Sequence, residues 1–224
     1  MQKNKVLIID DHPLICNAYK QALNQVMKED SEIEILIDSA VDCDQASEMI
    51  NNNWSSKGYD LVFLDIRLPA SVDRKILSGE DLGEMIRKKH PSAKIIVSTT
   101  FNDNYRIQNI FRSLNPEGFL IKNDLDPKEL VSAIMDILNG GVHYSNTVSN
   151  LLRKRMFNEI NVDKWDRMLL YELSIGTKMK DMPDIIPLSI AGIEKRKRIL
   201  KELFEVEGQG DKALILKARE KGFI

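Results

Sequence analysis

Cysteine is scarce in this 224-residue chain: Cys16 and Cys43 form no CxxC pair and have no histidine cluster beside them, so neither a disulfide framework nor a zinc site is indicated. Long hydrophobic runs are also missing. The longest are four residues, as at positions 6–9 and 61–64, against the roughly 20 that a membrane helix needs. The opening Met-Gln-Lys-Asn-Lys leads into no apolar stretch long enough for a signal peptide, so the expected location is the cytoplasm, with no membrane partner. No internal repeat or low-complexity tract is evident. Apolar residues at 43% and charged residues at 29% describe an ordinary globular chain and exclude disordered and fibrous classes. A length of 224 residues is too great for one average domain and suits two.

The net charge of -2 is unevenly divided. Residues 1–142 carry 16 basic and 22 acidic side chains, whereas residues 143–224 carry 16 and 12. That split suits a first half that holds a cation and a second half that approaches a polyanion. Through the first 140 residues, short apolar runs alternate with amphipathic stretches, the pattern of a parallel α/β sheet. Strands are expected at residues 5–9, 33–40, 61–64, 94–99 and 118–121. Helices are expected at 13–27, 43–51, 79–89, 104–113 and 126–138. In the last of these, Leu130, Ile134, Ile137 and Leu138 recur at helical spacing, Asp126-Pro127 starts the helix and Gly140-Gly141 ends it. The expectation is a doubly wound, five-stranded parallel sheet over residues 1–142, a linker over 143–161, and a small all-helical domain over 162–224. Doubly wound sheets bind their ligands at the carboxyl ends of the strands.

Carboxylates stand at those ends. Asp10-Asp11 follow the first strand and Asp65 follows the third. Three carboxylates converging on one crevice repel unless a hard cation neutralises them, and oxygen ligands suit Mg2+. An aspartate held beside Mg2+ can attack a phosphoryl group and form an aspartyl phosphate. Thr99 ends the fourth strand and Lys122 follows the fifth, so a hydroxyl and an ammonium can hold phosphoryl oxygens at the same rim. Each aspartate taken alone reads equally well as a helix cap, and His12 as a surface residue at a helix start. The three carboxylates together do not.

The segments VLIIDDHP, VFLDIRLP, IIVSTT and EGFLIK, in that order, resemble the receiver domain of bacterial two-component response regulators. The resemblance spans roughly residues 4–142 and implies a flavodoxin-like fold. By it, Asp65 is the phosphoacceptor, and Mg2+ is held by Asp10, Asp11, Asp65 and the main-chain carbonyl of Arg67. Thr99 is the switch hydroxyl, Lys122 the phosphate-binding lysine, and Phe119 the aromatic that turns inward on activation. A sensor histidine kinase is the implied donor. Two features depart from the family pattern. The stretch between Asp65 and Gly79 is about six residues longer than usual, including Ala70 to Lys75, and loops of extra length beside a site often carry function. One extra residue also separates the fourth strand from Lys122, so Thr99 is favoured but Thr100 stands as its alternative.

In the C-terminal part, helices are expected at 163–175, 178–185, 189–204 and 211–221. Trp165, Leu169, Leu170 and Leu173 make an apolar stripe on the first. The third carries Ile193, Leu200 and Leu203 inward and the run Lys195, Arg196, Lys197 and Arg198 around its middle. Presented outward, such a run suits phosphates and base edges in a major groove; its plainer reading is a solvated helix face. Leu188-Ser189, with Ser189 as N-cap, and the ending ALILKAREKGFI resemble the LuxR-type helix-turn-helix. Gly192, Glu194, Pro183 and Pro187 depart from that pattern, and a glycine inside a helix costs about 1 kcal/mol relative to alanine.

The resulting expectation is a regulator phosphorylated on Asp65, not an enzyme beyond self-phosphorylation from small donors and autodephosphorylation, that binds double-stranded DNA as a homodimer to control transcription. Two alternatives stand beside it. One is a response regulator whose C-terminal helices bind protein. The other is a phosphohydrolase with an aspartate nucleophile, which lacks support because no second aspartate stands two residues after Asp10 or Asp65.

Overall fold

A computed structural model describes residues 2–52, 58–100, 104–153 and 162–224. The chain divides into two compact units, Met1–Asn102 with Ile110–Arg155 and Asp103–Asn109 with Met156–Ile224.

The first unit is built on strands β1 (Gln2–Ile9), β2 (Ile33–Ala40), β3 (Leu61–Asp65), β4 (Lys94–Thr99), β5 (Gly118–Ile121) and β6 (His143–Tyr144), in the order β2-β1-β3-β4-β5-β6 with every neighbouring pair parallel. Strands covered on both faces read as continuous apolar runs, and every residue of β3 and β5 is buried. Helices α1 (Pro13–Glu29), α2 (Cys43–Asn52), α3 (Gly79–Lys89), α4 (Asn104–Leu114) and α5 (Pro127–Leu138) connect them. Pro13 sits in the first turn of α1, where its missing N–H costs nothing. The Asp126 carboxylate accepts from Glu129 N–H at 3.2 Å and caps α5. Tyr19, Leu23 and Val26 of α1 and Leu130, Ile134 and Ile137 of α5 pack with Val6, Ile8, Leu61, Phe63, Ile96 and Leu120 of the sheet in one core. The register pairs Ile9 with Leu64, Asp65 with Ser98, and Thr99 with Ile121, which brings the carboxyl ends of the central strands level.

Residues 143–153, read as linker from the sequence, are structured instead. His143 and Tyr144 pair with Gly118 and Phe119 as a sixth strand, followed by α6 (Asn146–Arg153). Two residues are too few to show a strand period, and the polar start of α6, Asn-Thr-Val-Ser, hides the fully buried Val148. Residues 154–161 of that expected linker lie outside the described residues.

In the second unit, α7 (Lys164–Ser174), α8 (Ile190–Leu203) and α9 (Asp211–Glu220) surround a core of Leu169, Leu170, Met182, Ile186, Ile193, Leu200, Phe204, Leu214 and Phe223. Phe204 and Phe223 lie 5.4 Å apart between ring centroids. The helix expected over 178–185 is a 3-10 stretch, Met179–Asp184. Pro183 within it has no N–H to give to an α-helical ladder. Ser189 caps α8 as expected, its Oγ accepting from Gly192 N–H at 3.2 Å.

Candidate functional site

At the carboxyl rim of the sheet, β1 delivers Asp10, β3 delivers Asp65, and the turn after β5 delivers Lys122. All three side chains are buried, Asp10 completely. Lys122 Nζ stands 2.7 Å from Asp10 Oδ2 and 2.6 Å from Asp65 Oδ2, so one ammonium is shared by two carboxylates from different strands. Backbone donors hold the other oxygens: His12 N–H donates to Asp10 Oδ1 at 3.0 Å, and Arg67 N–H to Asp65 Oδ1 at 2.9 Å. Burial pushes the Asp65 carboxyl above its ordinary range, against the lowering by Lys122 and the Arg67 N–H. Asp11 is exposed and pairs with His12 Nδ1 at 2.6 Å.

A divalent cation fits this donor set. Ligand atoms of Asp10, Asp11, His12 and Asp65 all lie within 4.8 Å of one another. Three carboxylates against one lysine leave two negative charges uncompensated, the charge of one Mg2+. Asp10 Oδ2 is buried and, apart from the ion pair with Lys122, has no hydrogen-bond partner.

Thr99 is fully buried at the end of β4. Its alternative, Thr100, has a buried Oγ1 with no hydrogen-bond partner, so the spare hydrogen-bonding capacity at this strand end belongs to Thr100. Phe119 has no exposed surface and stacks on Phe111 of α4 at 5.1 Å, and Tyr144 packs edge-on against Phe111. The ring expected to turn inward is therefore already inside.

Several contributors escaped the sequence reading. Ser98, the register partner of Asp65, accepts from the buried Tyr19 hydroxyl at 2.6 Å, and the Tyr19 ring stacks on Phe63 at 4.5 Å. Cys16 Sγ–H donates to the Asp10 carbonyl at 3.3 Å. A Cβ on Gly79 would lie 1.8 Å from the Asp65 carbonyl oxygen, so only glycine lets α3 begin against the backbone of this aspartate. The Ser-Gly pair ahead of a helix was the available signal for that contact.

The basic run of α8 is divided by its own helix. Arg196 turns inward, its Nη1 2.8 Å from both Asp163 Oδ2 and Asp166 Oδ1, and Lys197 pairs with Asp211 at 3.1 Å. Both were expected on a DNA-facing surface, and both are engaged within the unit. Lys195 and Arg198 are exposed, Arg198 with only a loose 3.9 Å pairing to Glu202.

A parallel sheet with an acid cluster and a lysine at its carboxyl rim defines an α/β module built around a metal-competent acidic centre. The family described as response regulator receiver domain matches residues 6–135, more than half of the chain, and the chain belongs to it. It is similar to the nitrate/nitrite response regulator protein homolog of Haemophilus influenzae, 27% identical over 72% of this chain and 69% of that one. It is also similar to the nitrate/nitrite response regulator protein NarP of Escherichia coli, 25% identical over 83% of this chain and 81% of that one. Among solved structures, RcsB of Salmonella enterica serovar Typhimurium bound to promoter rprA with a phosphomimetic superposes with a TM-score of 0.67, at 21% identity over 96% of this chain and 98% of that one. That likeness concerns the fold. Among the described residues, no helix is long and apolar enough to cross a membrane.

Proposed function

We propose that this response regulator is a phosphorylation-controlled transcription regulator, with Asp65 as phosphoacceptor and the second unit as a DNA-binding helix-turn-helix. The observation that carries this reading is the convergence of buried Asp10, Asp65 and Lys122 from three strand ends, within a chain of the receiver family. The receiver is assigned to residues 1–142 with β6 and α6 as its continuation, and the output module to 162–224.

Asp65 Oδ attacks the phosphorus of a phosphohistidine on a sensor kinase; the new P–O bond forms as the P–N bond breaks and the imidazole leaves. When bound, Mg2+ would be held by Asp10, Asp11, Asp65 and the main-chain carbonyl of Arg67, and it supplies positive charge for the phosphoryl oxygens. Arg67 N–H fixes one Asp65 oxygen, which leaves the other as the nucleophile once Lys122 moves onto the incoming group. The phosphoryl group adds close to two negative charges, so Lys122 remains at the rim and a strand-end hydroxyl, Thr99 or Thr100, is drawn to it. Movement at β4 and β5 reaches Phe119, and through the stacked Phe111 it reaches α4. The chain turns over no other substrate: it takes a phosphoryl group and loses it to water.

For the output module, Ser189, Lys195 and Arg198 are the contacts to DNA, and dimerisation places two copies of α8 on successive major grooves. Relatives carry names of transcriptional and nitrate/nitrite regulators, and the RcsB structure holds promoter DNA. One observation favours the protein-binding alternative. The exposed face of α8 sets Glu194 and Glu202 against Lys195 and Arg198, and it also displays Ile199. Duplex-DNA binding measured across salt concentrations, with and without acetyl phosphate and Mg2+, decides. A steep negative salt slope that strengthens on phosphorylation supports DNA reading, and no binding at low salt removes it.

A further inference from the structure

The longest departure of this chain from an ordinary receiver, the stretch between Asp65 and α3, is an ordered structure. Its two ends are tied together, Gly79 N–H donating to the Ile66 carbonyl at 3.2 Å, so residues 66–79 form a closed surface loop. Inside it, Ser71 N–H donates to the Ile76 carbonyl at 2.8 Å and Arg74 N–H to the Ser71 carbonyl at 2.9 Å. Ser71 Oγ accepts from Ile76 N–H at 3.1 Å and donates to Asp73 Oδ1 at 2.8 Å. Ser71 is buried while residues 72–75 are exposed, Val72 almost fully. Arg74 holds φ at +56°, a conformation that a non-glycine residue keeps only where its surroundings enforce it.

The loop has a second anchor. Val72 N–H donates to Asp44 Oδ2 at 3.0 Å, in the first turn of α2. The sheet order β2-β1-β3 makes that contact informative. The loop leaves from the end of β3, whereas α2 follows the end of β2, and β1 with Asp10-Asp11 lies between them. A segment joining those two positions must flank the carboxyl end of β1, and hence the acidic crevice. Asp10 N–H donating to the Ala40 carbonyl at 3.1 Å keeps the end of β2 against the same crevice.

We propose that residues 71–76, tied to Asp44, are a fixed wall on the β2 side of the crevice that limits the access of small phosphodonors and of water to Asp65. The inference rests on Asp65 being the phosphoacceptor. By narrowing approach from the β2 side, the wall slows charging by small molecules and lengthens the life of the aspartyl phosphate. The wall therefore favours a donor that docks over one that merely collides.

The test uses the full chain with acetyl phosphate as the probe donor. Ser71→Ala removes the hydroxyl that closes the loop, Asp44→Ala removes its outer anchor, and a third variant joins Ala70 directly to Leu77. For each, intact mass follows the adduct as it forms and as it decays after the donor is removed, and amide hydrogen exchange reports whether residues 71–76 have loosened. Several-fold faster charging and several-fold faster decay in the loosened point variants, with the adduct still on Asp65, are expected. Wild-type rates in a point variant whose loop exchanges faster would overturn the wall. Absence of any adduct in wild type would instead overturn the phosphoacceptor reading on which it rests.

Discussion

Asn in place of Asp65 removes one of the two carboxylates that share a single ammonium, and the structure sets the sign of the effect. At 4.8 Å, the outer limit of the spread among these ligand atoms, two unit charges repel by about 3.5 kcal/mol for an effective dielectric of about 20. Asp10 thus opposes Asp65 by about 3.5 kcal/mol. Lys122, 2.6 Å away, returns about 6 kcal/mol on the same scale. Against this balance stands the cost of taking a carboxylate out of water, several kcal/mol for a side chain 2% exposed. Burial raises the Asp65 carboxyl for the same reason. A raised folded value means that ionised Asp65 costs stability as pH climbs through it, and that the cost vanishes below the ordinary carboxylate range. In EDTA at neutral pH, D65N should be more stable than wild type by about 1–3 kcal/mol, about 3–10 °C in the melting of the first unit. The gap should close towards acid pH. Mg2+ at about 100 times its Kd should add about 2.7 kcal/mol to wild type and less to the variant. Thermal melts at two pH values, with and without Mg2+, measure all of this. Wild type melting above D65N in EDTA at neutral pH, or a gap that ignores pH, would refute the electrostatic account.

Four further outcomes follow from particular contacts. Gly79→Ala, whose Cβ would lie 1.8 Å from the Asp65 carbonyl, should lower stability by about 1–3 kcal/mol and slow adduct formation, read by melts and intact mass. Arg196→Ala leaves buried Asp166 without its guanidinium and should cost the second unit about 2–4 kcal/mol in denaturant titrations. Lys195→Ala and Arg198→Ala should each change stability by no more than about 0.5 kcal/mol, while each lowers the salt slope of DNA binding by about one. Acid should weaken the second unit. Burial opposes ionisation of Asp211, but Lys201 and Lys197 hold its carboxyl below the ordinary range. That stabilisation is present above the ordinary carboxylate value and is lost as pH falls through the depressed folded value, which a pH series of chemical melts will show.

Buried parallel strands announce themselves because both faces are apolar, and so Val6 to Ile9, Leu61 to Leu64 and their neighbours were legible, as were the aspartates that end them. Elements without a period were not: β6 is two residues long, and Pro183 turned an expected helix into a 3-10 stretch. Side-chain partners distant in sequence were equally hidden. Nothing local tells that Arg196 reaches Asp163 and Asp166, some 30 residues earlier, or that Lys122 is shared between Asp10 and Asp65. The four basic residues looked alike in sequence, and the core position of Ile193 and Leu200 decided which two turned inward. The extra length after Asp65 was visible, but its attachment to Asp44 depends on the sheet order.

The central claim is that Asp65 accepts a phosphoryl group. Its most direct test is intact-mass measurement of wild type and Asp65→Asn after incubation with acetyl phosphate and Mg2+. The account predicts one added phosphoryl mass in wild type, labile to hydroxylamine and absent from the variant. An adduct that persists in the variant, or none in wild type when Mg2+ is bound, would contradict it.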